Sequence, residues 1–326
     1  MKDVGLVGLP LSGRSTLFTA LTKLGAAGGR SNQAVVPVPD PRLGVLAELE
    51  RSRKVVPAQV RFVDVPGGLS SQGLAALREA DALAVVVRAF GSDVDVPRDV
   101  RRVSEELVLA DLTVVESARE NARRRSKGGR SPEAEVAALQ RAHDALSDGT
   151  PLIEAELWDD DARSLRSLAP LTAKPWVIVC NVEEGESLPN DAPHGAVGVW
   201  ARLEAETVGM DDEEARALLA EFGVEEPGLE RVISACYRAL DLVTFLTTGE
   251  DETRAWQVPR GATAQAAAAV IHTDLARGFI RAEVVSYQDL VAAGSWNEAR
   301  SRGLLRVEGR EYEVREGDVI HVRFSV

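Results

Sequence analysis

The sequence predicts an α/β domain on a mainly parallel sheet, interrupted by an antiparallel helical hairpin and followed by a small α+β domain of ubiquitin-like size. Three observations predict it. The apolar run Val4-Gly5-Leu6-Val7 feeds a glycine-spaced loop and then a helical pattern. Two continuous apolar runs, Ala82 to Val87 and Trp176 to Asn181, read as strands buried on both faces, as parallel sheets require. From Arg98 the apolar positions Val100, Val103, Leu107, Ala110, Val114 and Ala118 recur at spacings of three and four, the period of a long amphipathic helix.

The first loop carries the chemistry. It reads Gly8-Leu9-Pro10-Leu11-Ser12-Gly13-Arg14-Ser15-Thr16, between a strand and a helix that runs to Leu24. This is the layout of a phosphate-binding loop, in which backbone N–H groups and a helix N-terminus converge on an anion. The usual form is G-x-x-x-x-G-K-[ST], and here Arg14 stands in the place of the lysine. The nucleotide-binding candidates are therefore Leu9, Pro10, Leu11, Ser12, Gly13, Arg14, Ser15 and Thr16, with the Ser15 hydroxyl as a metal ligand. The plainer alternative is an ordinary strand–turn–helix.

The remaining elements follow in order. Val36 to Leu43 is a proline-stiffened link, and Leu43 to Leu49 a short helix. Val60 to Asp64 alternates as a strand and ends on an aspartate before Val65-Pro66-Gly67, where P-loop NTPases hold Mg²⁺ and a glycine amide meets the terminal phosphate; the alternative is a plain strand-to-turn Asp-x-Pro-Gly. Asp64 is the second metal candidate and Gly67 a further nucleotide contact. Leu74 to Ala80 is helical. The long helix from Arg98 ends in a basic run, and a second helix from about Pro132 to Leu146 returns beside it. Arg123, Arg124, Arg125, Lys127 and Arg130 at the tip are candidates for an RNA or ribosome contact; the alternative is a solvated helix end that complements the C-terminal dipole.

Asn181 closes the Trp176 strand at the edge where ligands bind in open α/β sheets, and its amide can hydrogen-bond a purine. Ala196 to Trp200 is a short strand, and helices span Glu213 to Phe222 and Gly228 to Leu240. Past Asp251 the pattern changes to strands at Arg254–Val258, Ile280–Ser286, Leu304–Val307, Tyr312–Val314 and Val319–Phe324, with helices at Thr263–Ile271 and Gln288–Ala292.

Composition bounds the function. The net charge of −13 argues against wholesale coating of nucleic acid, and no DNA contact is expected, although a local basic patch is compatible with RNA. No apolar run is long enough to span a bilayer, so no membrane partner is expected, and the N-terminus lacks a signal-peptide pattern. Cys180 and Cys236 sit in apolar stretches and make no disulfide framework, which fits a cytoplasmic setting.

Together these residues resemble the YchF-type, Obg-family P-loop GTPases and ATPases. The phosphate loop, Val36–Leu43, Phe62-Val63-Asp64, Leu109–Leu112, and Ile271–Asp274 with Gly278–Glu283 and Gly317–Val319 are similar to segments of that family, over essentially the whole chain. Asn181-Val182-Glu183-Glu184 matches its N-x-x-E base-recognition motif, which adds Glu184 to the nucleotide contacts and implies relaxed base choice. The resemblance implies a P-loop nucleotide-binding domain at 1–94 and 169–250, a helical hairpin domain at 95–168 and a TGS domain at 251–326. It also implies a purine nucleotide, ATP or GTP with Mg²⁺, and association with ribosomes.

The chain departs from the family at Arg14, in a first switch without its threonine between Leu24 and Val35, in a shortened second switch at Gly67–Leu74, and at Trp200-Ala201 in place of Ser-Ala. All four fall on the catalytic apparatus. The expectation is therefore a nucleotide-binding protein with weak or lost hydrolysis; the alternatives are an active Mg²⁺-dependent ATPase or GTPase and a nucleotide-free scaffold.

Overall fold

The apolar runs assemble as expected into one mainly parallel sheet. The computed structural model describes residues 1–24, 26–27, 32–127, 133–157, 159–207, 209–224 and 227–325. From the N-terminus come β1 (Lys2–Val7), α1 (Arg14–Leu24), β2 (Ala26–Ala27), β3 (Gln33–Pro37), α2 (Arg42–Glu50), β4 (Val55–Val56) and β5 (Gln59–Asp64). Next are α3 (Ser71–Leu77), β6 (Ala82–Ala89), the hairpin helices α4 (Val96–Lys127) and α5 (Glu133–Ser147), then α6 (Asp159–Leu165) and β7 (Trp176–Val182). β8 (Val197–Val199), α7 (Ala201–Thr207), α8 (Asp212–Glu221) and α9 (Gly228–Ala239) complete the first of two compact units, Met1–Val36 with Val60–Leu240.

In that unit the strand order is β2-β3-β5-β1-β6-β7-β8, and β1 runs parallel to both β5 and β6. The chain leaves β1 for one side of the sheet and later returns on the other, so the carboxyl end of β1 is a topological switch point, where a ligand crevice forms. β6 buries almost every side chain, Ala82 to Val87 without a break, because the sheet is covered on both faces. The hairpin has its own apolar seam, Val108, Val115 and Ala122 of α4 against Leu139, Ala142 and Leu146 of α5. At its base the fully buried Asp111 accepts from Arg78 Nη1 at 2.6 Å, from the Leu171 and Thr172 amides at 3.0 and 2.7 Å, and from Thr172 Oγ1 at 2.7 Å.

The second unit is Pro37–Gln59 with Asp241–Val326. It adds β9 (Leu242–Thr247), β10 (Thr253–Pro259), α10 (Ala264–Ile271), α11 (Thr273–Arg277), β11 (Phe279–Ser286), α12 (Tyr287–Ala293), α13 (Trp296–Ser301), β12 (Arg306–Glu308) and β13 (Asp318–Phe324). The sheet order is β12-β11-β13-β9-β10-β4, with the helix α10 on a core of Phe245, Val258, Phe279, Val284 and Ile320. It starts ten residues earlier than position 251 and takes in the segment read from sequence as a link. β4 pairs with β10, Ser52 Oγ lies 2.8 Å from Thr253 Oγ1, and Arg42 reaches Glu316 at 2.7 Å. The expected strand at Tyr312–Val314 is not formed: only a single bridge, Thr263 to Glu313, is made there, while the Tyr312 hydroxyl donates to Asp318.

Cys180 and Cys236 are free and fully buried, and burial pushes both thiols up to about 12. Neither thiol is expected to react with a disulfide reagent at mildly alkaline pH in the native chain, and both should react in denaturant. Stoichiometric labelling of the native protein would contradict this burial.

Candidate functional site

The loop between β1 and α1 wraps the carboxyl end of β1. Its shape rests on two residues with positive φ, Leu11 at 65° and Gly13 at 86°. Leu11 is 87% exposed, whereas Ser12 is tucked inside at 2%. Gly8 has no room for a side chain, since a Cβ there would stand 2.4 Å from the Val86 carbonyl oxygen. The first helical bond of α1 runs from Leu17 N to Gly13 O, so the amides of Arg14, Ser15 and Thr16 have no partner within the helix and sit at its positive end. Ser12 Oγ is buried without a hydrogen-bond partner. A buried hydroxyl left unpaired costs about 1–3 kcal/mol, which a ligand oxygen at the loop would recover.

A cleft of about 830 Å³ opens over this loop. It brings together Leu9 through Thr16, Gly67, Asn181 and Glu184, all expected from sequence, and adds Phe90, Trp200 and Arg202. Asn181 is 8% exposed and ties three segments together: Nδ2 donates to Ser12 O at 3.3 Å and Oδ1 accepts from the Ala201 amide at 3.3 Å. Glu184 accepts from both Nε and Nη2 of Arg202, at 2.8 and 3.0 Å. Trp200 donates from Nε1 to the Glu186 carbonyl. Nothing in the linear pattern pairs Arg202 with Glu184. Phe90 had a readable signal, as the residue that follows a fully apolar strand at the ligand edge of the sheet.

The two metal candidates are differently placed. Ser15 is exposed in the first turn of α1. Asp64, at the end of β5, faces Arg14: Oδ1 lies 2.9 Å from Arg14 Nε, each side chain 19% exposed. The contact is an ion pair without hydrogen-bond geometry at Oδ1. Burial pushes the Asp64 carboxyl above the ordinary carboxylate range, and the Arg14 charge pulls it back only in part. The same guanidinium covers the turn before α3, where a Cβ on Gly68 would meet Arg14 Nη1 at 2.7 Å. Gly67, at φ 87°, accepts at its carbonyl from Ser70 N, and Ser70 in turn caps α3.

At the hairpin tip the basic side chains are exposed but engaged. Arg123 donates to Gln140 at 2.5 Å, Arg124 pairs with Glu120 at 3.0 Å, and Arg125 pairs with Glu135 at 2.7 Å. Arg130 and the side chain of Lys127 lie outside the described residues.

A parallel sheet whose switch strand ends in a glycine loop that opens a helix defines the P-loop class of α/β protein. Comparison with known proteins narrows the class. The chain is 39% identical over 358 positions to the ribosome-binding ATPase YchF of Haemophilus influenzae, with 99% of each covered, and 36% identical over 361 positions to that of Bacillus subtilis, also with 99% of each covered. The alignments are longer than the chain, so those relatives carry short segments that it lacks. The family model YchF-GTPase_C, described as a protein of unknown function (DUF933), matches residues 242–325. Among solved structures, the Schizosaccharomyces pombe YchF GTPase superposes with a TM-score of 0.87 at 29% identity, covering 99% of this chain and 97% of that one. A GTP binding protein from Pyrococcus horikoshii shares the fold, at a TM-score of 0.61 and 18% identity, with all of both chains covered. The chain belongs to the YchF family.

Proposed function

We propose that this chain is a purine-nucleotide-binding protein of the cytoplasm, associated with the ribosome, whose hydrolytic activity is weak or lost. The observation that carries nucleotide binding is the loop itself: a buried, unpartnered Ser12 hydroxyl beside helix amides that have no internal acceptor. Those donors fit a phosphate group, with Leu9 to Thr16 as its cradle and Asn181 and Glu184 over the base. Glu184 already spends both oxygens on Arg202. Guanine needs a carboxylate acceptor for two donors, whereas adenine does not, so ATP suits this rim better than GTP. The name of those relatives, ribosome-binding ATPase, supports the ribosome as partner. No described helix is long and apolar enough to cross a membrane. We read 95–168 as an inserted hairpin domain and the C-terminal unit as a TGS domain.

The residues fit the nucleotide better than they fit Mg²⁺. Ser15 is open to a metal, but the Asp64 carboxylate is occupied by Arg14. A planar guanidinium also differs from the slim ammonium of the usual lysine, so charge developing on a transferring phosphoryl group is met from a shifted position. This carries the expectation of weak hydrolysis. The alternative, a working ATPase, is favoured by the name of the relatives.

Titration with fluorescent ATP and GTP analogues should give micromolar binding. Phosphate release in the same preparation should stay at background; Ser15-dependent turnover would establish the alternative instead. Ribosome co-sedimentation should weaken with salt. Because Arg123, Arg124 and Arg125 are exposed at the tip, changing them to Glu tests whether the tip is the contact: unchanged co-sedimentation would move it elsewhere.

A further inference from the structure

We propose that this chain holds its nucleotide without a divalent metal, with the Arg14 guanidinium as the built-in cation. The inference rests on the nucleotide-binding reading above and goes past it to the charge that the phosphates meet. Arg14 is the first residue of α1 and lines the cleft over the loop, and its side chain reaches two further segments at once: the end of β5 at Asp64, 2.9 Å away, and the turn at Gly68. Gly68 stands at φ 53° and its missing Cβ leaves the space in which the guanidinium lies.

The donor chemistry suits a double role. A guanidinium presents five N–H groups in one plane, so one edge can stay on a carboxylate while another meets phosphate oxygens. Lysine carries its three donors on one nitrogen and lacks the separate edges of a guanidinium. A divalent ion approaching Asp64 would have to expel the guanidinium or lie beside a like charge. Asp64 thereby changes from a metal-holding group to a positioning residue that aims Arg14. No threonine occurs between Leu24 and Val35.

The test titrates a fluorescent ATP analogue into the full chain in Mg²⁺ and in EDTA, for wild type, Arg14→Lys and Arg14→Ala. Wild-type affinity is expected to differ by less than about threefold between the two media, while Arg14→Lys binds in Mg²⁺ and weakens about tenfold or more in EDTA. Arg14→Ala should lose binding in EDTA while its circular dichroism and melting curve stay native. If the wild type itself weakens about tenfold or more in EDTA, the built-in cation is overturned and the nucleotide-binding reading survives. Arg14→Ala binding as well as wild type in EDTA, or Arg14→Lys proving indifferent to Mg²⁺, would equally overturn it. No binding by any protein in either medium removes the nucleotide-binding reading, and the inference with it.

Discussion

Replacing Asp111 with alanine is expected to destabilise the first unit by about 3–5 kcal/mol, the cost of breaking a buried charge network from one side. Asp111 is fully buried and accepts four hydrogen bonds, and its removal leaves Arg78, Thr172 Oγ1 and two amides without their acceptor. Arg78 follows α3, Asp111 lies in α4 and Thr172 precedes β7, so the lesion falls where the hairpin meets the sheet. The Arg78 side chain also donates to the carbonyls of Ala110 and Ala169, so those bonds lose their anchor too. Trp176 Nε1 donates to the Leu171 carbonyl at 3.2 Å, beside this network. Denaturant titration followed by circular dichroism should show the shift, and Asp111→Asn, which keeps one acceptor oxygen, should fall between. A change below about 1 kcal/mol in the alanine variant would mean that the network contributes little beyond an ordinary hydrogen bond.

Replacing Gly13 with alanine should cut nucleotide affinity by about tenfold or more and cost about 1–3 kcal/mol of stability. Gly13 sits at φ 86°, where an L side chain is strained. A Cβ there would stand 1.9 Å from Asn181 Nδ2, so Asn181 must leave. Its departure unties the Ser12 carbonyl and the Ala201 amide together, loosening both the β1–α1 loop and the wall of the cleft at Ala201. Titration with the ATP analogue and a melting curve read the two effects separately. Binding within about twofold of wild type would show that the Asn181 ties do not shape the loop.

Much of this site was readable in the linear chain. Glycine spacing, an apolar run and a helical pattern suffice to place the β1–loop–α1 unit, because its geometry is set by residues adjacent in sequence. Asp64 and Asn181 were equally legible, since each ends a strand at the ligand edge. β9 was not: Leu242–Thr247 follows a helical run without a turn signal, and a short apolar run fits either structure. α7 was missed because its polar sequence hides a buried Glu204, whose carboxylate accepts from the Gly228 and Leu229 amides at the start of α9. At the tip, read from sequence as an RNA or ribosome contact or a solvated helix end, Arg123 and Arg125 find partners on α5, which depends on how the two helices align.

Local hydrogen bonding and side-chain periodicity thus specified the buried strands β1, β6 and β7, the loop after β1 and the hairpin, because those forces act between residues a few positions apart. The fate of the charges was settled by the return of the chain. The tertiary fold sets Arg14 against Asp64 and Arg202 against Glu184, and it gathers Pro37–Gln59 with Asp241–Val326. An ion pair forms with whichever opposite charge the packed core brings within reach, and that distance is a property of the folded chain.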